Sequence, residues 1–187
     1  MRATLLSLLV LSGCYASRFH SADTLEGALS EDSVVLPVAP VATDARGQCG
    51  LACLVSLLRF HGLDLDDAAR ERFSLEAGRE GSIRAGDIRT YLRGRGFQAH
   101  LVHGTLDAEE PCGILYILTR RLPTIVALHV EGRNHYALVC GFDRERRWIL
   151  LLDPARGIGA VPFESFDGYW EGTGRLMLVA RPATPRN

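Results

Sequence analysis

The sequence predicts an α+β domain, with N-terminal helices packed on a C-terminal antiparallel sheet, and three observations predict it. Residues 50–60 place Leu51, Ala52, Leu54, Val55, Leu57 and Leu58 around most of a helical circumference, and a helix apolar nearly all round is a buried one. Further helical patterns follow at residues 66–72, 85–94 and 109–121. The second half then turns β-rich, with runs at 124–130, 135–142, 147–153 and 175–180. Helices first and strands afterward is the α+β order.

The elements can be justified in chain order. Met1-Arg2 is positive, Leu5 to Leu11 are mostly apolar, and Leu11-Ser12-Gly13-Cys14 closes the run with small residues. A membrane span needs about 20 apolar residues, so this short run has the layout of a secretory signal. Its last four residues resemble a lipobox, which implies a signal peptide over 1–13 and a lipid on Cys14. Residues 14–36 are expected to form a lipidated tether. They lack a sustained period until the extended Val34-Val35-Leu36 run, and Pro37 and Pro40 follow it. A single compact domain over 37–182 and a tail at 183–187 complete the chain.

Within that domain, Gly62 stops the first helix, and Asp66-Asp67 open the second at its positive end. Residues 78–81 read as a turn, and residues 96–102 as a strand leaving the end of a helix. In the β-rich half, turn signals stand at Gly132, at residues 143–146, and at Asp153-Pro154 with Gly157 and Gly159. The formal net charge over 187 residues is -1, with arginines interleaved among acids. No basic stripe exists to neutralise phosphates, which argues against nucleic-acid binding.

Five cysteines occur, at 14, 49, 53, 112 and 140. An exported chain meets oxidising conditions. If Cys14 carries lipid, every complete pairing of the remaining four consumes Cys49, so a catalytic Cys49 requires incomplete pairing. Cys49 and Cys53 have no matching pair at ligand spacing downstream. Neither a metal nor a cofactor is therefore expected.

Cys49 stands directly before the buried helix, where unpaired N–H groups and the helix dipole favour thiolate. Those amides can also hold an oxyanion during acyl transfer. His135 heads an apolar strand, and a cysteine nucleophile needs an imidazole from elsewhere in the chain. Asp153 ends the next strand, so a short hairpin can bring it beside His135 to orient the ring.

Several motifs carry a family resemblance. Gln48-Cys49-Gly50-Leu51-Ala52-Cys53-Leu54 resembles the nucleophile motif of the bacteriocin-processing, double-glycine leader peptidases. Arg95-Gly96-Phe97-Gln98-Ala99, Leu122-Pro123-Thr124-Ile125-Val126-Ala127-Leu128, Asn134-His135-Tyr136-Ala137-Leu138-Val139 and Leu152-Asp153-Pro154-Ala155-Arg156-Gly157 are similar to later parts of the same family, in order. The likeness runs from Gly47 to Pro182. It implies a papain-like cysteine peptidase fold, a Cys49–His135–Asp153 triad and a peptide or protein substrate. It also implies an oxyanion glutamine upstream of the nucleophile. Thr43 stands six residues before Cys49, and Gln48 is the nearby glutamine.

The expected protein is thus a monomeric thiol peptidase, lipid-anchored in a bacterial envelope on the periplasmic side of the outer membrane. A Cys-His-Asp acyltransferase and an inactive peptide-binding lipoprotein stay open beside it. His61 is read as a helix cap, His129 as a core or rim residue, and Trp170 as packing. His100 and His103 have no partner in view.

Overall fold

The computed structural model describes residues 15–25, 27–41 and 48–183. The signal segment, the lipidation candidate Cys14 and Thr43 lie outside the described residues. The chain runs α1 (Tyr15–Arg18), β1 (His20–Ser21), α2 (Ala22–Leu25), β2 (Val34–Val35), α3 (Cys49–Phe60), α4 (Asp67–Glu80), α5 (Ala85–Gly94) and β3 (Phe97–His103). It continues α6 (Ile114–Thr119), β4 (Thr124–Val130), β5 (Arg133–Asp143), β6 (Trp148–Asp153), β7 (Gly157–Pro162), α7 (Phe163–Glu171) and β8 (Leu176–Pro182).

The strands form one antiparallel sheet in the order β1-β7-β6-β5-β4-β8-β3. Strand β2 pairs with Gly141 and Phe142 of β5, past Val139 where β4 stops. The middle strands are buried at successive positions, Ala137 to Asp143 in β5 and Ile149 to Asp153 in β6. Consecutive burial means that both faces of the sheet are covered there. Helix α3 packs on β5, α5 on β3, and α7 on β4.

Four expectations change. Helix α4 runs through the expected turn to Glu80, because Phe73 and Ala77 bury one face beyond residue 72. Helix α6 is shorter than 109–121: the Asp107 carboxylate accepts the N–H groups of Glu109 and Glu110 and holds a turn there. Residues 157–162 are a strand, not only a turn. Gly159 serves there as a point of close approach, since a Cβ would lie 2.5 Å from the Phe19 ring.

The fourth change matters most. Residues 15–36, expected as a loose tether, are docked on the domain. Tyr15, Leu25 and Leu36 are buried, and β1 pairs with β7. Asp143, fully buried, accepts from the Ser30 backbone N–H (2.7 Å), the Ser30 hydroxyl (2.9 Å) and the Arg146 N–H (2.9 Å). A buried carboxylate with three donors is a satisfied one, and it pins the segment.

Candidate active site

Cys49 is the first residue of α3, and residues 50 to 58 behind it are all buried. The first backbone N–H groups of a helix have no intrahelical acceptor, so the thiol sits at the electropositive end of a helix fixed in the core. Gly50 is required by crowding: a Cβ would meet Ile83 Cγ1 at 2.7 Å and Tyr136 Cδ2 at 3.0 Å. The same closeness lets β5 come up to the nucleophile, and the Tyr136 N–H donates to Cys49 Sγ at 3.5 Å.

Residue 135 is therefore beside residue 49 because residue 136 is. The His135 ring pairs with the Cys49 thiol. Its Nε2 lies 3.1 Å from Asp153 Oδ1 on the neighbouring strand β6. The ring N–H is not aligned along that line, so the contact is an ion pairing more than a linear hydrogen bond. Asp153 is 1% exposed, and its Oδ1 also accepts the Ala155 N–H at 2.8 Å. With Nε2 turned to Asp153, Nδ1 is the nitrogen left for the thiol.

The electrostatics run toward charge separation. Burial pushes the Cys49 thiol up, but His135 and the N–H groups of Tyr136 and Gly50 pull it below its ordinary value. Burial disfavours a charged His135, yet Asp153 and Cys49 raise its pKa to about 9. Burial likewise pushes Asp153 up, and His135, the Ala155 N–H and the Tyr15 hydroxyl outweigh it and hold the carboxyl below its usual range. These shifts favour a thiolate facing an imidazolium.

The other sequence candidates fall into place around this group. Cys49, Cys53, Cys112 and Cys140 are all free. Cys53, one turn after Cys49, is fully buried, and burial raises its thiol well above the ordinary value. Cys140 lies at the β5 bulge and is pushed up to about 12 by burial. Gln48 precedes the helix without capping it through its side chain. Trp170 is buried and donates to the Leu176 carbonyl at 3.0 Å, a packing role. His61 follows α3 with its ring edge-on to Phe60 and Phe97. His129 Nδ1 meets Asn134 Oδ1 at 3.0 Å, and His103 Nδ1 meets the Gly174 carbonyl at 2.5 Å.

Sequence reasoning missed two residues. Tyr136 contributes a main-chain N–H, and a donor of that kind carries no side-chain signature. Tyr15 reaches Asp153 from the segment read as a tether. Its available signal was the aromatic pair Tyr15 and Phe19 at helical spacing.

Comparison with known proteins gives the family and the fold. The family model described as "Peptidase C39 family" matches residues 39–184. No curated protein matches the chain. Among solved structures, a double-glycine motif protease from an AMS/PCAT transporter, crystallised with the leader peptide, has 21% identity and a TM-score of 0.61. That match covers 79% of this chain and 94% of the other. The peptidase domain of Streptococcus ComA has 16% identity over 76% of this chain and 97% of its own, with a TM-score of 0.57. A C39-like peptidase from Bacillus anthracis has 12% identity over 84% and 100%, with a TM-score of 0.61. At these identities the likeness establishes the papain-like α+β fold.

Proposed function

Because the chain belongs to the peptidase C39 family and is a cysteine peptidase, we propose that it cuts peptide bonds with Cys49, His135 and Asp153 as its catalytic triad. The observation that carries this reading is the convergence of a helix-end thiol, a ring and a buried carboxylate, with Nε2 3.1 Å from Oδ1. Cys49 Sγ attacks the scissile carbonyl carbon, and the carbonyl electrons move onto oxygen. The Cys49 N–H, with Gln48 as second candidate, holds that oxyanion. The imidazolium then protonates the leaving amine as the C–N bond breaks and a thioester remains. His135 next takes a proton from water, which attacks the thioester and releases the acid and the thiolate. Asp153 fixes the ring and stabilises its charge through both halves.

A peptide is the substrate that the chemistry suits, and the leader peptide bound to one similar structure supports this. We further propose that a lipid on Cys14 holds the enzyme at the bacterial envelope, on the periplasmic side of the outer membrane. Acyl chains bind by about 0.8 kcal/mol per buried CH2. Tyr15 is packed into the domain, so such an anchor would keep the site close to the lipid surface. Incorporation of labelled palmitate that survives in Cys14→Ser would refute the anchor.

The triad is tested by alkylating the full chain with iodoacetamide near pH 7 and following the Cys49 peptide by mass spectrometry. Cys49 is expected to react fast, and His135→Ala to slow it at least tenfold, the order of the thiolate gain from a paired histidine. A slow Cys49, unaffected by His135→Ala, sinks the reading.

A further inference from the structure

The family match begins at residue 39, yet a residue well before it, Tyr15, is sunk beside the proposed triad. Tyr15 is 3% exposed and enclosed by three groups. Tyr169 of α7 meets its ring edge-on at 5.2 Å, Phe19 lies at 6.0 Å, and the Arg156 guanidinium stands 5.5 Å above it. Arg156 belongs to the turn that Asp153 opens, its N–H donating to the Asp153 carbonyl at 3.0 Å. Just beyond, His20 and Ser21 pair with Ala160 and Gly159, and the His20 ring stacks on Trp148 at 5.4 Å. The segment is therefore held in register, and the tyrosine with it.

The Tyr15 hydroxyl is fully buried, and no acceptor meets it within hydrogen-bond geometry. The charged acceptor beside it is the Asp153 carboxylate. Leaving a buried hydroxyl without a partner is costly, and a small shift of the phenol toward that carboxylate supplies one. We propose that Tyr15 is a positioning residue for the peptidase reaction: its hydroxyl donates to the Asp153 carboxylate and keeps it ionised and oriented behind His135.

The electrostatics agree. Burial, and then Asp153, push the Tyr15 phenol well above its ordinary value, so it remains a donor throughout the working range. The groups bearing on Asp153 come from four directions: His135 on β5, Tyr15 on α1, the Ala155 N–H on its own turn, and the Cys53 thiol on α3. Arg156 and Tyr169 act on Tyr15 in turn. A hydrogen bond to a carboxylate favours its charged form. The inference rests on the catalytic reading above, since it gives Asp153 a further support in the role proposed there.

The test uses the full chain labelled with 13C at aspartate carboxyls, the Asp153 resonance being identified by its loss in Asp153→Asn. Tyr15→Phe keeps the ring and removes only the donor. Its Asp153 midpoint is expected to rise by about one pH unit, a tenfold change in the dissociation constant. 3-Fluorotyrosine at position 15, a more acidic donor, is expected to move the midpoint the other way. It gives the result even if Tyr15→Phe folds poorly. An Asp153 midpoint that neither substitution moves overturns the proposal. So does a shift that appears in Tyr15→Ala but not in Tyr15→Phe, which would assign the effect to ring packing. Fast, His135-dependent Cys49 labelling alongside an unmoved midpoint defeats this inference alone. A slow Cys49 defeats the catalytic reading beneath it.

Discussion

Cys49 and Cys53 stand one turn apart on the same helix, and their thiols are driven in opposite directions. Cys49 is half-buried at the helix end, with the Tyr136 N–H, the Gly50 N–H and the His135 ring available to its anion. Cys53 is wholly buried, and burial raises its pKa, reinforced by the negative charge of Cys49 and Asp153. Both feel desolvation. Only the first has donors to outweigh it. A thiol's reactivity is thus decided by what faces its sulfur, and a displacement of four residues is enough to change the outcome.

The largest test of that contrast removes the charge behind the imidazole. Asp153→Asn keeps the size of the side chain but withdraws the carboxylate, and a comparable exchange in a serine triad costs about 10⁴ in turnover. A loss of about 10²–10⁴ in kcat is expected here. The pH dependence supplies a second reading. His135 has its pKa raised from 6.5 to about 9. Its contribution to stability is fully present below 6.5 and is lost as pH rises through about 9. In Asp153→Asn the histidine midpoint, followed by NMR, should fall back toward 6.5, and the alkaline loss of stability should move down with it. If the midpoint stays near 9, the helix-end thiolate alone accounts for the imidazolium and Asp153 is structural.

How much of this was legible in the sequence differs between regions for a physical reason. Helix α3 was readable because burial on every side leaves a run from Leu51 to Leu58 that is apolar but for Ser56. Cys49, His135 and Asp153 were readable because each ends or opens such a run, and the hairpin between β5 and β6 fixes the proximity of His135 to Asp153. The outer segments were not. Residues 15–36 bury isolated residues, Tyr15, Leu25 and Leu36, among polar ones, and so show no period of either kind. Strand β7 was hidden by Gly157 and Gly159, which suggest a turn until β1 is known to lie against Gly159. Pairing between segments distant in sequence leaves little local trace, and the sheet edge built by β1 is pairing of that sort.

The smallest effect is expected at the second cysteine, and it bears most directly on the contrast. Cys53→Ala removes a sulfur from a closed position in the core. By analogy with other small deletions from a core it should cost about 1 kcal/mol, and for a domain of this size that lowers Tm by about 2–4 °C. Cys53→Ser should cost more, about 1–3 kcal/mol, if the hydroxyl is left without a partner in apolar surroundings. Neither variant touches the Cys49 donors, so the rate of Cys49 alkylation at 25 °C should remain within about twofold of the parent, a fraction of 1 kcal/mol. Removing the Cys53 thiol also withdraws nothing from the thiolate–imidazolium pair, because a thiol with so high a pKa is neutral over the working range. A folded Cys53→Ala chain whose Cys49 has lost its reactivity would break the comparison. The two turns of the helix would then act as one electrostatic unit, and the buried thiol would have to be counted among the groups that set the nucleophile.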